Sequence, residues 1–194
     1  KPTLLEADEI ASVHLKTFEN FFLTSLGKSF LKTYYKSCIK FEGAISICAV
    51  DEENTVVGFC FGSLSSVGFH EKLILNNILA FTIQFISVLF SKPRAIIRLV
   101  KNLKKVGHPE DHRDYAELLS IGVLLEKKGL GIGKGLLLDF EKNIKDKKIK
   151  RISLTTDYDS NNAVLKFYDS MGYKVYYEFI TYPDRKMFKL IKNI

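Results

Sequence analysis

Cysteine is scarce in this chain of 194 residues, which carries three in all. Cys38, Cys48 and Cys60 show no CxxC or His–Cys spacing, and each sits among apolar neighbours. A disulfide framework and a thiolate metal site are therefore not expected, and the three read as reduced core residues of a cytoplasmic protein. Histidine is equally thin. His14, His70, His108 and His112 are scattered, no pair has zinc-ligand spacing, and no metal is expected. Internal repeats and low-complexity linkers are missing too. At the start, Lys1, Glu6, Asp8 and Glu9 interrupt any apolar run that would read as a signal peptide.

Acid is missing from one long stretch. Between residues 72 and 109 there is no Asp or Glu, while Lys72, Lys92, Arg94, Arg98, Lys101, Lys104 and Lys105 all fall there. That segment holds the whole formal excess of +7, so attraction to anions belongs to it and not to the protein at large. What the chain does have is apolar content, at 46%, enough for one sizeable core and short for two. A single domain over 1–194 is expected.

Periodicity places the elements. Helical spacing over 7–18, behind acids suited to a helix N-terminus, and again over 26–38 predicts two helices. The β-rich runs 44–50 and 56–61, separated by Asp-Glu-Glu-Asn, predict an antiparallel hairpin. The stretch 73–90 is mostly apolar, yet Asn76, Asn77, Thr82, Gln84 and Ser87 recur through it, and a membrane span is rejected. It leads through Lys92-Pro93 into 95–106, where Ile96, Leu99, Val100 and Leu103 stripe one face opposite lysines and arginines, predicting a helical pair whose second member is amphipathic and basic. Beyond the loop 107–113 come a buried strand over 116–123, a helix over 133–147, a strand over 149–156, a helix over 161–171, and strands over 173–181 and 185–191. Asp157 and Asp159 are placed to cap the helix that starts near Asn161.

The chemistry concentrates in 118–137, LLSIGVLLEKKGLGIGKGLL, where an apolar strand runs into a glycine-rich turn that opens a helix. Such a turn offers consecutive backbone N–H groups at a positive helix end, which suits a diphosphate. Gly129, Gly131 and Gly133 keep Cβ atoms out of the way, and Lys128 and Lys134 add charge. Two familiar phosphate loops fail on spacing. A P-loop needs Ser or Thr after Gly133-Lys134, but Gly135 follows; a dinucleotide fold needs more chain after the turn than remains.

The residues resemble instead the GNAT superfamily of acyl-CoA N-acyltransferases. Lys128-Gly129-Leu130-Gly131-Ile132-Gly133 is similar to the family's signature, with Lys128 where Gln or Arg is usual and Leu125 where many members have Pro. The second family element, an Asn, a Tyr and a Gly–aromatic pair at fixed spacing, is met by Asn161, Tyr168, Gly172 and Tyr173, with Val164 in place of the usual Ala. The likeness covers nearly the whole chain except an insertion over about 69–113.

The resemblance implies an α/β fold: one mixed, mainly antiparallel twisted sheet of six or seven strands, helices on both faces, and a helical insertion before the central strand. It implies acetyl-CoA as co-substrate, pantetheine pairing with backbone at Ile121 and Val123, and diphosphate on Lys128, Gly129, Leu130, Gly131, Ile132, Gly133 and Lys134, with Asn161 in the cofactor site. Tyr168 stands at the family's general-acid position and Glu117 where some members place a catalytic Glu. The backbone N–H of Val123 would polarise the carbonyl.

The expected function is transfer of acetyl from acetyl-CoA to a primary amine, an amino sugar or other small molecule, by direct attack in a ternary complex. Two alternatives stay open: a protein or peptide acceptor, and a non-catalytic acyl-CoA-binding module with a basic membrane- or partner-binding insertion. The insertion reads either as a helical lid or homodimer contact with solvated lysines, or as a surface resting, through 72–105, on an anionic membrane or a lipid-linked acceptor at the membrane periphery. Nucleic acid is not expected, because the basic residues alternate with aliphatics and offer no stacking platform.

Overall fold

The computed structural model describes residues 1–19, 21–91, 111–182 and 184–194. The basic helix expected over 95–106, and His108 with it, lie outside the described residues.

The chain opens with α1 (Ala7–Thr17), a short α2 (Phe22–Ser25) and α3 (Lys28–Lys40). Asp8 and Glu9 sit in the first turn of α1, where the helix dipole favours acids, and its inward stripe Ile10, Ala11, Val13 and His14 is buried. A hairpin follows, β1 (Ala44–Val50) and β2 (Val56–Ser63). Every residue of β2 is buried, as a strand covered on both faces requires. After the insertion come β3 (Ala116–Val123), a single 3-10 turn, α6 (Ile132–Asp146), β4 (Arg151–Asp157), α7 (Asn162–Ser170), β5 (Lys174–Thr181) and β6 (Arg185–Asn193).

The six strands form one sheet in the order β1-β2-β3-β4-β6-β5. All neighbours are antiparallel except β3 and β4. Two cores result. On one face α1 and α3 cover the sheet through Ile10, Leu31, Tyr35 and Phe59. On the other, α6 and α7 bring Leu137, Phe140, Ile144 and Tyr168 against Ile152 and Leu154. The approach of α6 is tight: a Cβ at Gly62 would lie 2.4 Å from the Phe140 ring and 2.6 Å from the Glu117 carbonyl oxygen.

Within the insertion the stretch expected as one apolar unit is broken. The structure has α4 (Phe69–Leu75) and α5 (Ile78–Ser91), meeting at 99°. The break falls at Asn76-Asn77, where the Asn77 side chain donates to the Leu73 carbonyl at 3.2 Å and ends the turn. No single described helix is long and apolar enough to cross a membrane. The insertion is rooted at the start of β3: Ser66 N–H donates to the Tyr115 carbonyl, and the Ser66 hydroxyl to the Arg113 carbonyl.

Candidate active site

The site begins with a fork in the sheet. β3 and β4 pair only at Ala116–Ile152, Glu117–Ser153 and Leu118–Leu154, after which they diverge. The cause lies in β3. Phe61 pairs with Ser120 and Gly62 with Leu118, so Leu119 is an extra residue, a β-bulge that turns the strand away from β4. Past the bulge β3 stays zipped to β2, and among the described residues no strand pairs with its other edge. The direction of its free groups follows from alternation. Leu124 N–H donates to the Val57 carbonyl on the β2 side at 2.9 Å, so the backbone groups of Ile121 and Val123 point the opposite way, into the fork.

At the fork's end the chain makes the glycine-rich turn. Gly129 and Gly131 have φ of +82° and +78°, values that favour glycine, and a Cβ on either would meet nothing within 4 Å. The turn thus frames open space. Gly131 is the N-cap of α6 and no side chain caps that helix, so its first-turn N–H groups have no partner within the helix. A cradle of this kind, with Lys128 and Lys134 beside it, fits a diphosphate. The helix starts at Ile132, one residue before the expected Gly133, because the left-handed Gly131 sets the boundary.

A cleft of about 1030 Å³ runs from this turn along the fork. Such a volume suits an extended ligand together with a second, smaller one. Ile121, Val123, Lys128, Gly129, Gly131, Ile132, Gly133, Lys134, Asn161 and Tyr168 all line it. Asn161 ties the end of β4 to the start of α7, donating to the Thr156 hydroxyl at 2.6 Å and to the Asp157 carbonyl at 2.8 Å. Tyr168 is 7% exposed, and burial pushes its phenol well above the ordinary 10. It stays protonated through the neutral range and is a proton donor, not an acceptor of protons.

Two of the predicted residues are not brought to the cleft. Leu130 is exposed at the tip of the turn and does not line it. Glu117 is absent from the lining, since it precedes the bulge; its carboxylate accepts from Lys189 on β6 at 2.6 Å, and that lysine side chain is nearly buried. The expected capping by Asp157 and Asp159 is corrected as well. The N-cap is Asn161, without a side-chain cap, and Asp157 instead accepts a two-pronged pair of hydrogen bonds from Arg185 Nε and Nη2.

The far end of the cleft was not anticipated. His14 and Phe18 of α1, Phe21 and Phe22, and the Asp157–Arg185 pair line it, with the Arg185 guanidinium 4.5 Å over the Phe21 ring. His14 is 3% exposed, and burial lowers its imidazole from 6.5 to about 4. Its Nδ1 shares a 2.6 Å hydrogen bond with the Tyr35 hydroxyl, and its buried Nε2 has no hydrogen-bond partner. The sequence signal was faint: His14 falls on the same stripe as Ile10 and Val13, where a polar residue asks for a reason. Nothing in sequence pairs Asp157 with Arg185, which only the β4–β6 register brings together. Among the described residues no group of His, Cys, Asp or Glu is arranged to hold a metal ion.

The family model described as Acetyltransferase (GNAT) family matches residues 8–173. No curated protein matches the chain in sequence. Solved structures do match in fold. The ribosomal-protein-S18-alanine N-acetyltransferase from Escherichia coli is 12% identical with a TM-score of 0.62, covering 100% of this chain and 90% of its own. The PaiA N-acetyltransferase from Thermoplasma acidophilum, in complex with coenzyme A, is 17% identical with a TM-score of 0.59 over 100% and 96%. An aminoglycoside 6'-N-acetyltransferase complexed with coenzyme A is 15% identical with a TM-score of 0.59 over 97% and 91%. The forked sheet, the open glycine cradle and the match over most of the chain agree: this protein belongs to the GNAT family of acetyltransferases.

Proposed function

We propose that the protein moves the acetyl group of acetyl-CoA to the primary amine of a small molecule, an amino sugar or a related amine, by direct attack in a ternary complex. The observation that carries this reading is the single cleft that joins the glycine cradle, the fork backbone of Ile121 and Val123, and the Tyr168 phenol. In it the diphosphate rests on the N-terminus of α6 and the pantetheine arm pairs along the fork. The acetyl carbonyl is then polarised by the Val123 N–H.

The steps balance without a covalent enzyme intermediate. The acceptor ammonium first loses a proton to solvent; the free amine nitrogen attacks the thioester carbon, and the C–S bond breaks as the C–N bond forms. Tyr168 protonates the departing thiolate and recovers its proton from the one the new amide nitrogen sheds. Glu117 stands outside the cleft, held by Lys189, and in this reading it positions that lysine and accepts no proton from substrate. Small acceptors are favoured by the aromatic far end, which Phe18, Phe21 and Phe22 line together with the Asp157–Arg185 pair. The carboxylate of Asp159 on the lining draws in a cationic amine, Asp157 being paired with Arg185.

Isothermal titration with acetyl-CoA and CoA, followed by thiol release against amino sugars, polyamines and peptides, tests the proposal. Binding with release for amino sugars or polyamines is the expected result. Release for peptides alone would move the acceptor to proteins, binding with no release would leave an acyl-CoA-binding module, and no binding would overturn the reading.

A further inference from the structure

α5 carries no charged residue and is held to the domain by few side chains. Phe81 and Val88 are buried, Phe81 against Phe30 of α3 with ring centroids 6.0 Å apart. The opposite side is bare. Leu79, Ile83, Ile86 and Phe90 recur at the four- and three-residue spacing of a helical stripe, and Leu75, at the end of α4, is exposed as well. All five are exposed, Leu79 by 79% and Phe90 by 84%. Scattered apolar residues on a surface need no explanation, but a continuous stripe of this kind marks an interface.

We propose that this face lies in the surface of an anionic lipid bilayer. Charge decides between lipid and a second copy of the chain. The stripe sits in the stretch 72–109, which holds no acid; Lys72 precedes it, and Lys92, Arg94, Arg98, Lys101, Lys104 and Lys105 follow in sequence. Two copies meeting through α5 would bring together the basic residues that flank it in sequence. Anionic headgroups answer the charge and acyl chains answer the stripe. Length decides between lying on the membrane and crossing it. No single described helix is long and apolar enough to cross a bilayer, and α4 and α5 meet at 99°. The helix is therefore interfacial, with Leu79, Ile83, Ile86 and Phe90 among the acyl chains. The inference is independent of the acetyl acceptor.

Co-sedimentation of the full chain with phosphatidylcholine vesicles, with and without phosphatidylglycerol, tests it. Binding is expected only to the phosphatidylglycerol vesicles and should weaken with added salt. The exposed-site variants Leu79→Asp and Ile83→Asp should lower it by about tenfold or more, with thermal melting and CoA affinity unchanged. Failure to bind phosphatidylglycerol vesicles, or equal binding by the variants, overturns the proposal. So does a dimer, seen by sedimentation, that the two variants split, because the face then belongs to a second copy.

Discussion

At the scale of the residue, Tyr168, Glu117 and His14 each give a distinct prediction. Tyr168→Phe removes the proton donor without changing shape, so turnover should fall by about 100-fold while CoA affinity stays within about twofold; steady-state kinetics beside titration separates the two. Glu117→Gln should behave the other way. It leaves the Lys189 ammonium buried beside a neutral amide, which costs about 3 kcal/mol and shows as a lower melting temperature, while turnover changes little. A large loss of turnover at unchanged stability would instead make Glu117 the base. His14 ties stability to pH. Its imidazole is neutral in the fold down to about 4 and ordinary, near 6.5, in the unfolded chain. Between those values the unfolded chain takes up more protons, so the contribution is complete above pH 6.5 and is lost as pH falls toward 4, roughly 3 kcal/mol in all. Urea unfolding across that window should show the slope in the wild type and its loss in His14→Gln.

At the scale of the element, close approach between α6 and β2 seats the helix on the sheet. Gly62→Ala would drive a methyl into the Phe140 ring and the Glu117 carbonyl, and overpacking of this kind costs about 1–3 kcal/mol; the check is the denaturation midpoint. Periodicity and turn residues made most elements readable beforehand. β1 and β3 have the expected bounds, α1 ends one residue earlier than expected, and α6 differs from expectation by a residue at each end. The glycine cradle was legible for a local reason: positive φ and a helix N-terminus are written in consecutive residues. The far end of the cleft was not, because Asp157–Arg185 and His14–Tyr35 are contacts between distant segments that depend on register and helix rotation. Glu117 shows the same limit. Its place on β3 was right, but the bulge at Leu119, which separates it from the cleft, has no composition signal of its own. In the insertion, the Asn76-Asn77 pair held the sign of a break that the apolar run concealed.

At the scale of the whole molecule, the sheet is divided into two arms that share only three residue pairs between β3 and β4. Ligand on the fork should therefore act on both arms together. Hydrogen exchange with and without CoA should show new protection at the Ile121 and Val123 amides and at Gly133 and Lys134 at the head of α6. Protection confined to α6 would mean that the pantetheine arm does not pair with the strand. An unsatisfied strand border is ordinarily a liability, a template on which stray polypeptide assembles into aggregates. Here that border is turned inward, and the α1 and α7 residues that line the cleft wall it on both sides. A polypeptide arriving with side chains above and below its backbone meets those walls, whereas a slender, unbranched amide-bearing arm does not. The fork thus selects by thickness, keeping its hydrogen-bonding capacity for one narrow kind of guest and denying it to other proteins.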